Sequence, residues 1–332
     1  MVPVKGHDEG LRENLAALAA QDYPDFELIV CAREPAGVPP DTAPAAARIV
    51  YSGAPDAHTG DKIANLLAAI AAARPASTVF VFADSDARPL PHWLRSLVQA
   101  ALPAGTGVAT GYRWYIPARG GFASHLRAAW NSSIAGSFGP APGLFCWGGA
   151  MAIRRAEFER LGVGEAWQGQ VSDDYVLAAC VRRARLRIAF VPGALTPARD
   201  HAPISELLAW SARQMLLTRV YRPELWTIAF LGHIVYCAAM PAAVILAVSG
   251  HPAALVPLAL QLGVSMAKAA RRCGWAAAAL GEPAGSPWLH AALAPAVTWL
   301  WLYSLLASAT GNVLAWRGVR YRLRRTRCDR LG

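Results

Sequence analysis

The chain changes character near position 221: before it, apolar, charged and turn residues alternate as in a globular domain, and after it long uncharged runs take over. In the first part "MVPV" reads as a strand and "EGLRENLAALAAQ" as an amphipathic helix. "FELIVCA" is a continuous apolar run of the kind a doubly covered parallel sheet requires. "ARIVYSG" follows as a third strand, "DKIANLLAAIAAA" as a second helix and "STVFVFA" as a fourth strand. Strands alternating with helices predict an open, Rossmann-like α/β sheet with right-handed crossovers. Further along, "PHWLRSLVQAAL" reads as a helix, "GVATGYRWY" as a strand and "GGFASHLRAAWNSSIAG" as a helix, while "REPAGVPPDTAPAAA" (33–47) is a Pro-rich surface loop.

In the second part, "LWTIAFLGHIVYCAAMPAAVILAV" (225–248) is long enough to cross a bilayer at roughly 20 residues per span. "AALVPLALQLGVSMA" (253–267) is shorter, and 288–316 is long, apolar and rich in Trp and Tyr. The pattern divides the chain into a globular domain over 1–222, membrane-associated helices over 223–316 and a basic tail over 317–332.

Composition sharpens this picture. Of 332 residues 55% are hydrophobic, and the mean hydropathy of +0.27 is high for a wholly soluble protein. The formal charge is +10, with seven arginines against one aspartate between positions 316 and 330. An arginine cluster beside an apolar segment fits anionic headgroups and the positive-inside rule, and nucleic acid is not the expected partner. The six cysteines form no C-x-x-C pair and no metal-ligand spacing, so reduced, mostly buried thiols are expected. "MVPVKG" has neither a charged n-region nor an apolar h-region of a signal peptide, and a first strand this short predicts that the natural chain begins earlier.

Candidate chemistry gathers at strand ends. "VFVFADSDARP" (79–89) ends an apolar strand on Asp84 and Asp86, which alternation points to one side. Two such carboxylates raise each other's pKa unless a cation sits between them. Asp-x-Asp also begins ordinary turns, but at the carboxyl edge of an α/β sheet, where ligands bind, it offers hard oxygens for Mg²⁺ or Mn²⁺ against a diphosphate. Gly148 and Gly149 in "FCWGGAMAIRR" predict a close approach of a ligand or another backbone. In "SDDY", Asp173 and Asp174 follow Ser172 as either an N-capped helix start or a general base. Lys62 and Asn65 share a helix face near its N-terminus, as a solvated pair or a phosphate site. Arg213, Gln214 and Arg219 in "WSARQMLLTRVY" read as snorkelling side chains of an interfacial helix or as substrate contacts.

Taken in order, "VPVKG", "QDYPDFELIVCA", "GDKIANL", "FADSDARP", "GGAMAIRR", "VSDDYVLA", "RQMLLTR" and "WRGVRYRL" resemble the ceramide glucosyltransferase-like branch of GT-A glycosyltransferases over nearly the whole chain. The resemblance implies a UDP-sugar donor, a Mn²⁺ or Mg²⁺ ion, a membrane-lipid acceptor, inversion at the anomeric carbon and a cytoplasm-facing catalytic domain on a multi-pass membrane base, such as a bacterial inner membrane. It also implies roles. Asp84 would be the family's second aspartate, with Asp86 completing the metal pair, and Asp174 its third, the base. Glu34 stands where the family's early aspartate is expected, and Lys5, Lys62 and Asn65 would complete the donor side. Gly149 and Asp173 would flank the acceptor. Arg213 opens the closing signature with Gln214 beside it, but Leu216 and Leu217 occupy its Arg-Trp positions, so Arg219 or an arginine of "WRGVRYRL", such as Arg320, would face the diphosphate, or the acceptor site differs from that of the ceramide enzymes. Rival readings are a cellulose- or hyaluronan-type polysaccharide synthase, for which three apolar segments are few, and a non-catalytic membrane scaffold of the same fold.

With domain and tail both facing the cytoplasm, the crossings must be even in number. The expected arrangement is a hairpin leaving near Leu225 and returning by Lys268, with the third segment in the cytoplasmic interface, bringing "WRGVRYRL" back toward the sheet edge.

Overall fold

The computed structural model describes residues 1–331 except 7, 55, 118–120, 139–144, 200 and 326. The chain forms two compact units: Met1–Arg113 with Phe138–Ala198 and Val313–Gly332, and Trp114–Ser137 with Arg199–Asn312.

The first unit is a mixed α/β sheet. Strands β1 (Val2–Pro3), β2 (Leu28–Ala32) and β3 (Ala47–Tyr51) pair in parallel, with helix α1 (Leu11–Ala19) between β1 and β2 and helix α2 (Asp61–Ala72) following β3. β2 is buried along its whole length, as its unbroken apolar run requires. The Met1 amino group donates to the Val81 carbonyl (2.8 Å), and Ala83 N–H donates to the Met1 carbonyl (3.1 Å). That stagger lays the chain start beside β4 (Val79–Ala83).

From β4 onward the sheet departs from the parallel expectation. Its order is β4-β6-β5-β7, with β5 (Thr106–Tyr115), β6 (Ala150–Arg154) and β7 (Arg187–Ala198), and β6 runs antiparallel to both β4 and β5. The register pairs Ala83 with Ala150. The residues just before β6, Gly148 and Gly149, therefore stand opposite those just after β4, Asp84 and Ser85. The two glycines precede the strand rather than interrupt it. Helices α3 (Trp93–Ala101), α5 (Arg155–Arg160), α6 (Val163–Trp167) and α7 (Asp173–Arg183) complete this part. Beneath β4 the buried Phe82 meets the Trp167 ring edge-on at 5.3 Å, and Phe80 meets Phe158 at 5.5 Å. Each such burial contributes roughly 1.5–3 kcal/mol and holds β4 against α5 and α6.

The stretch expected as a basic tail, together with the end of the third apolar segment, folds as an antiparallel sheet of β8 (Val313–Trp316), β9 (Val319–Leu323) and β10 (Cys328–Leu331) within the first unit. Leu314, Tyr321, Leu323 and Cys328 are buried. Arg330 N–H donates to the Ala57 carbonyl at 2.7 Å, and its guanidinium pairs with Asp61 at 2.6 Å.

The second unit is helical: α4 (Phe122–Ala135), α8 (Ile204–Tyr221), α9 (Pro223–Val248), α10 (Leu255–Leu280) and α11 (Pro287–Ala309). Trp130 lies between Trp210 and Trp301, at 5.0 and 4.6 Å. Buried Arg127 pairs with Glu206 and stacks on the Tyr115 ring. Three stretches are long and apolar enough to cross a membrane: Pro223–Val248, Pro252–Leu280 and Pro287–Ala309. α10 runs on through the basic cluster at 268–272 to Leu280, past the expected end at Lys268, because that stretch is rich in Ala and holds no proline; its helical bonding carries it through Gly274 to Gly281, whose φ of +67° ends the helix. All six cysteines are free and buried.

Candidate functional site

At the carboxyl end of β4, Asp84 and Asp86 share one edge, and the cations between them are side chains. Arg113, on β5, donates from Nη1 to Asp86 Oδ2 (2.8 Å) and from Nη2 to Asp86 Oδ1 (2.5 Å) and Asp84 Oδ2 (3.2 Å). Lys62, in the first turn of α2, donates to Asp84 Oδ1 (2.9 Å) and the Gly148 carbonyl (3.4 Å), and pairs with Asp173 Oδ1 (3.1 Å). Burial raises the Asp84 carboxyl, but Lys62 and Arg113 pull it below its ordinary value. Burial would lower the Lys62 ammonium, yet Asp173, Asp84 and Asp174 hold it above its ordinary range.

The second acidic pair begins α7. Ser172 caps the helix, its hydroxyl accepting from Tyr175 N–H (3.4 Å). Asp174 accepts from Tyr175 N–H at 2.7 Å, from the Ser172 hydroxyl and from Gly148 N–H at 3.2 Å. Asp173 is deeper. Burial first, then the Asp174 and Asp84 charges, push its carboxyl up to about 7 against the pull of Lys62. Its Oδ2 is buried without a hydrogen-bond partner among the described residues.

The glycines make this convergence possible. A Cβ on Gly148 would stand 2.8 Å from both Asp173 Oδ2 and Lys62 Nζ. One on Gly149 would lie 2.2 Å from the Trp147 ring and 2.6 Å from Asp84 Oδ2. The close approach expected of this pair is the packing of both acidic pairs and Lys62 against bare backbone.

Other expected residues are placed elsewhere. Asn65 is buried and accepts from the Ser52 hydroxyl (2.6 Å), so it does not join Lys62 at the carboxylates. Lys5 donates to Asp61 (2.8 Å). Glu34 is exposed at the start of a short 3₁₀ turn, Pro35–Gly37, and makes no capping bond. Arg213, Gln214 and Arg219 lie on α8 in the second unit, where Arg219 bonds the Gly311 carbonyl and Asn312 Oδ1 (2.7 Å). Arg320 is exposed on β9 because alternation turns its neighbour Tyr321 inward.

The tail arginine that reaches the edge is Arg317. It sits in the β8–β9 turn, pairs with Asp8 (2.8 Å) and donates to the Lys5 carbonyl (3.4 Å). Asp8 in turn accepts from the hydroxyl of Ser85, which lies between Asp84 and Asp86. Arg113, Asp8 and Ser85 were not among the residues the sequence singled out, and Arg317 was covered only as one arginine of "WRGVRYRL". For Arg113 a signal existed: one arginine in a ten-residue strand that is otherwise buried needs a partner.

Among the described residues no group of three or more His, Cys, Asp or Glu side chains is disposed to hold a metal. Two part-exposed carboxylates nevertheless fit Mg²⁺ or Mn²⁺ in kind, as hard oxygens whose coordination a diphosphate and water can complete.

An α/β sheet carrying paired aspartates at its carboxyl edge, with apolar helices in the second half of the chain, has the architecture of a GT-A glycosyltransferase on a membrane base. The Glycosyl transferase family 21 profile, that of the ceramide glucosyltransferase-like enzymes, matches residues 1–328, and the chain belongs to that family. No curated protein matches it. Among solved structures that match is one titled "Crystal Structure of a Mycobacterial Protein", 21% identical over 66% of this chain and 72% of that one, with a TM-score of 0.43.

Proposed function

We propose that this glycosyltransferase moves a hexose from a UDP-sugar to a hydroxyl of a membrane lipid, with inversion at the anomeric carbon. The observation that carries this reading is the convergence of Asp84–Asp86 and Asp173–Asp174 on Lys62 across the bare backbone of Gly148 and Gly149. Asp84 and Asp86 would hold Mn²⁺ or Mg²⁺, which supplies neutralising charge to the leaving diphosphate. Lys62 and Arg317 place further positive charge at the same edge.

Asp174 is the base in this reading. It is less buried than Asp173, which is held by Lys62, and its Oδ2 accepts a single N–H, that of Gly148 at 3.2 Å. As the acceptor oxygen bonds to the anomeric carbon, its proton passes to Asp174, and the bond from that carbon to the diphosphate breaks, releasing UDP. Arg213 and Gln214, next to the first candidate span, would line the acceptor entrance. The three apolar helices support a lipid acceptor, and a nucleotide-sugar donor supports a cytoplasm-facing catalytic unit.

Calorimetric titration of UDP with Mn²⁺ tests the donor side. Asp84→Asn and Asp86→Asn should each abolish the Mn²⁺-dependent affinity. Unchanged affinity in both would remove the aspartates from the donor site.

A further inference from the structure

The four carboxylate oxygens of Asp84 and Asp86 each accept from a cationic side chain: Asp84 Oδ1 from Lys62, and the other three from Arg113. The Arg113 fork is bidentate on Asp86, the strongest geometry available to an arginine and a carboxylate. It is also sheltered. The Arg113 side chain is 14% exposed, against 40% for Asp86, and its guanidinium lies 5.1 Å from the centre of the Trp147 ring. Salt screens such a pair less than one on an open surface.

We propose that Arg113 is a built-in counter-ion of the aspartate pair that competes with a divalent cation for Asp86 and passes to the donor diphosphate, so that metal and donor load together. The inference rests on the reading of Asp84 and Asp86 as the metal pair. A cation that takes both Asp86 oxygens must displace the guanidinium fork, and one that binds a single oxygen faces the Arg113 charge at close range. Once its fork is released, Arg113 requires another oxyanion of similar geometry, and a phosphate provides one. Whatever binds the released fork removes the competition. Diphosphate therefore raises metal affinity, and by linkage metal raises diphosphate affinity by the same factor. Lys62 and Arg113 together answer the charge problem that two adjacent aspartates pose.

The test is Mn²⁺ binding to the full-length chain in detergent, read as free Mn²⁺ by electron paramagnetic resonance, with and without UDP. Arg113→Gln should tighten binding of Mn²⁺ alone by about tenfold and shrink the gain that UDP confers. Arg113→Lys separates competition from mere charge, because it keeps the charge but cannot fork. It should tighten Mn²⁺ alone at least about threefold. Mn²⁺ affinity in Arg113→Lys equal to that of the wild type would overturn the proposal. The unmodified chain gives an independent readout: Mn²⁺ with UDP should change the near-ultraviolet circular dichroism by a component missing from Trp147→Phe, as the guanidinium leaves that ring. Identical difference spectra for the two chains would also contradict it. Wild-type protein that binds no Mn²⁺ even with UDP would sink the metal reading itself, whereas binding indifferent to Arg113 would sink only the competition.

Discussion

Asp173 and Asp174 are neighbours in sequence with different environments, and this yields a prediction about pH. An unfolded Asp173 titrates near the ordinary carboxyl value of 3.8, whereas in the folded chain burial pushes it up to about 7. The folded state holds the proton more tightly, so the group's contribution to stability is fully present below the unfolded value and is lost as pH rises through about 7. Asp173→Asn carries no such proton. Its thermal midpoint relative to wild type in detergent should therefore improve from pH 5 to pH 8, and a relative midpoint that worsens over that interval would contradict the assignment. The sequence made the two acidic pairs legible because each closes or opens a regular element, β4 or α7. It marked Arg113 only as an arginine in need of a partner and could not name that partner, because Arg113 meets Asp84 and Asp86 only through the order β4-β6-β5. No local pattern states that order.

The β8–β9 hairpin shows the same limit for an element. "VLAW" and "VRYRL" alternate as strands do, yet the first reads as the end of an apolar segment and the second, for its density of arginines, as a tail. Folding buries Leu314, Tyr321 and Leu323 and leaves Arg320 and Arg322 outside. The two-residue turn, Arg317–Gly318, has φ of +46° and +76°, the backbone of a type I′ turn. Glycine suits that conformation, while an arginine there costs on the order of 1 kcal/mol. The strained residue is the one whose guanidinium reaches Asp8 beside Ser85. Arg317→Gly should leave the thermal midpoint unchanged or higher while weakening UDP binding about tenfold, since the partly exposed ion pair it loses is worth little to the fold. A lowered midpoint with unchanged UDP affinity would make Arg317 structural only. Asn65 marks a simpler miss: its spacing from Lys62 was read as one face, but the three-residue step turns it far enough to reach Ser52 instead.

For the whole molecule, the apolar runs and the return of the arginine-rich stretch toward the sheet edge were legible in the sequence, whereas the folding of 313–332 as a three-stranded sheet in the unit that holds the aspartates was not. That return bears on topology. The chain enters and leaves the apolar helices from one unit, so an odd number of full crossings would place parts of that unit on opposite sides of a bilayer. Three helices qualify by length and composition. α11 is the one set apart, with 39% of its apolar window buried within the protein against 6% for each of the others. We expect α9 and α10 to form the membrane hairpin, with α11 at the cytoplasmic interface. Cysteines introduced near 250, 284 and 329 can be labelled in intact spheroplasts, and label from outside is expected at 250 alone. External labelling at 329 would overturn the arrangement.

The central claim is that Asp174 takes a proton from a lipid hydroxyl while the Asp84–Asp86 edge holds the donor. The most direct measurement is mass spectrometry of lipids from cells expressing the wild-type chain or Asp174→Asn, with UDP–Mn²⁺ affinity measured on both purified proteins. The account predicts a hexosylated lipid in the first cells, its loss by at least roughly 10²-fold in the second, and nearly equal UDP affinity. An equal yield of the glycolipid from Asp174→Asn, or no new glycolipid from the wild-type chain, would contradict it.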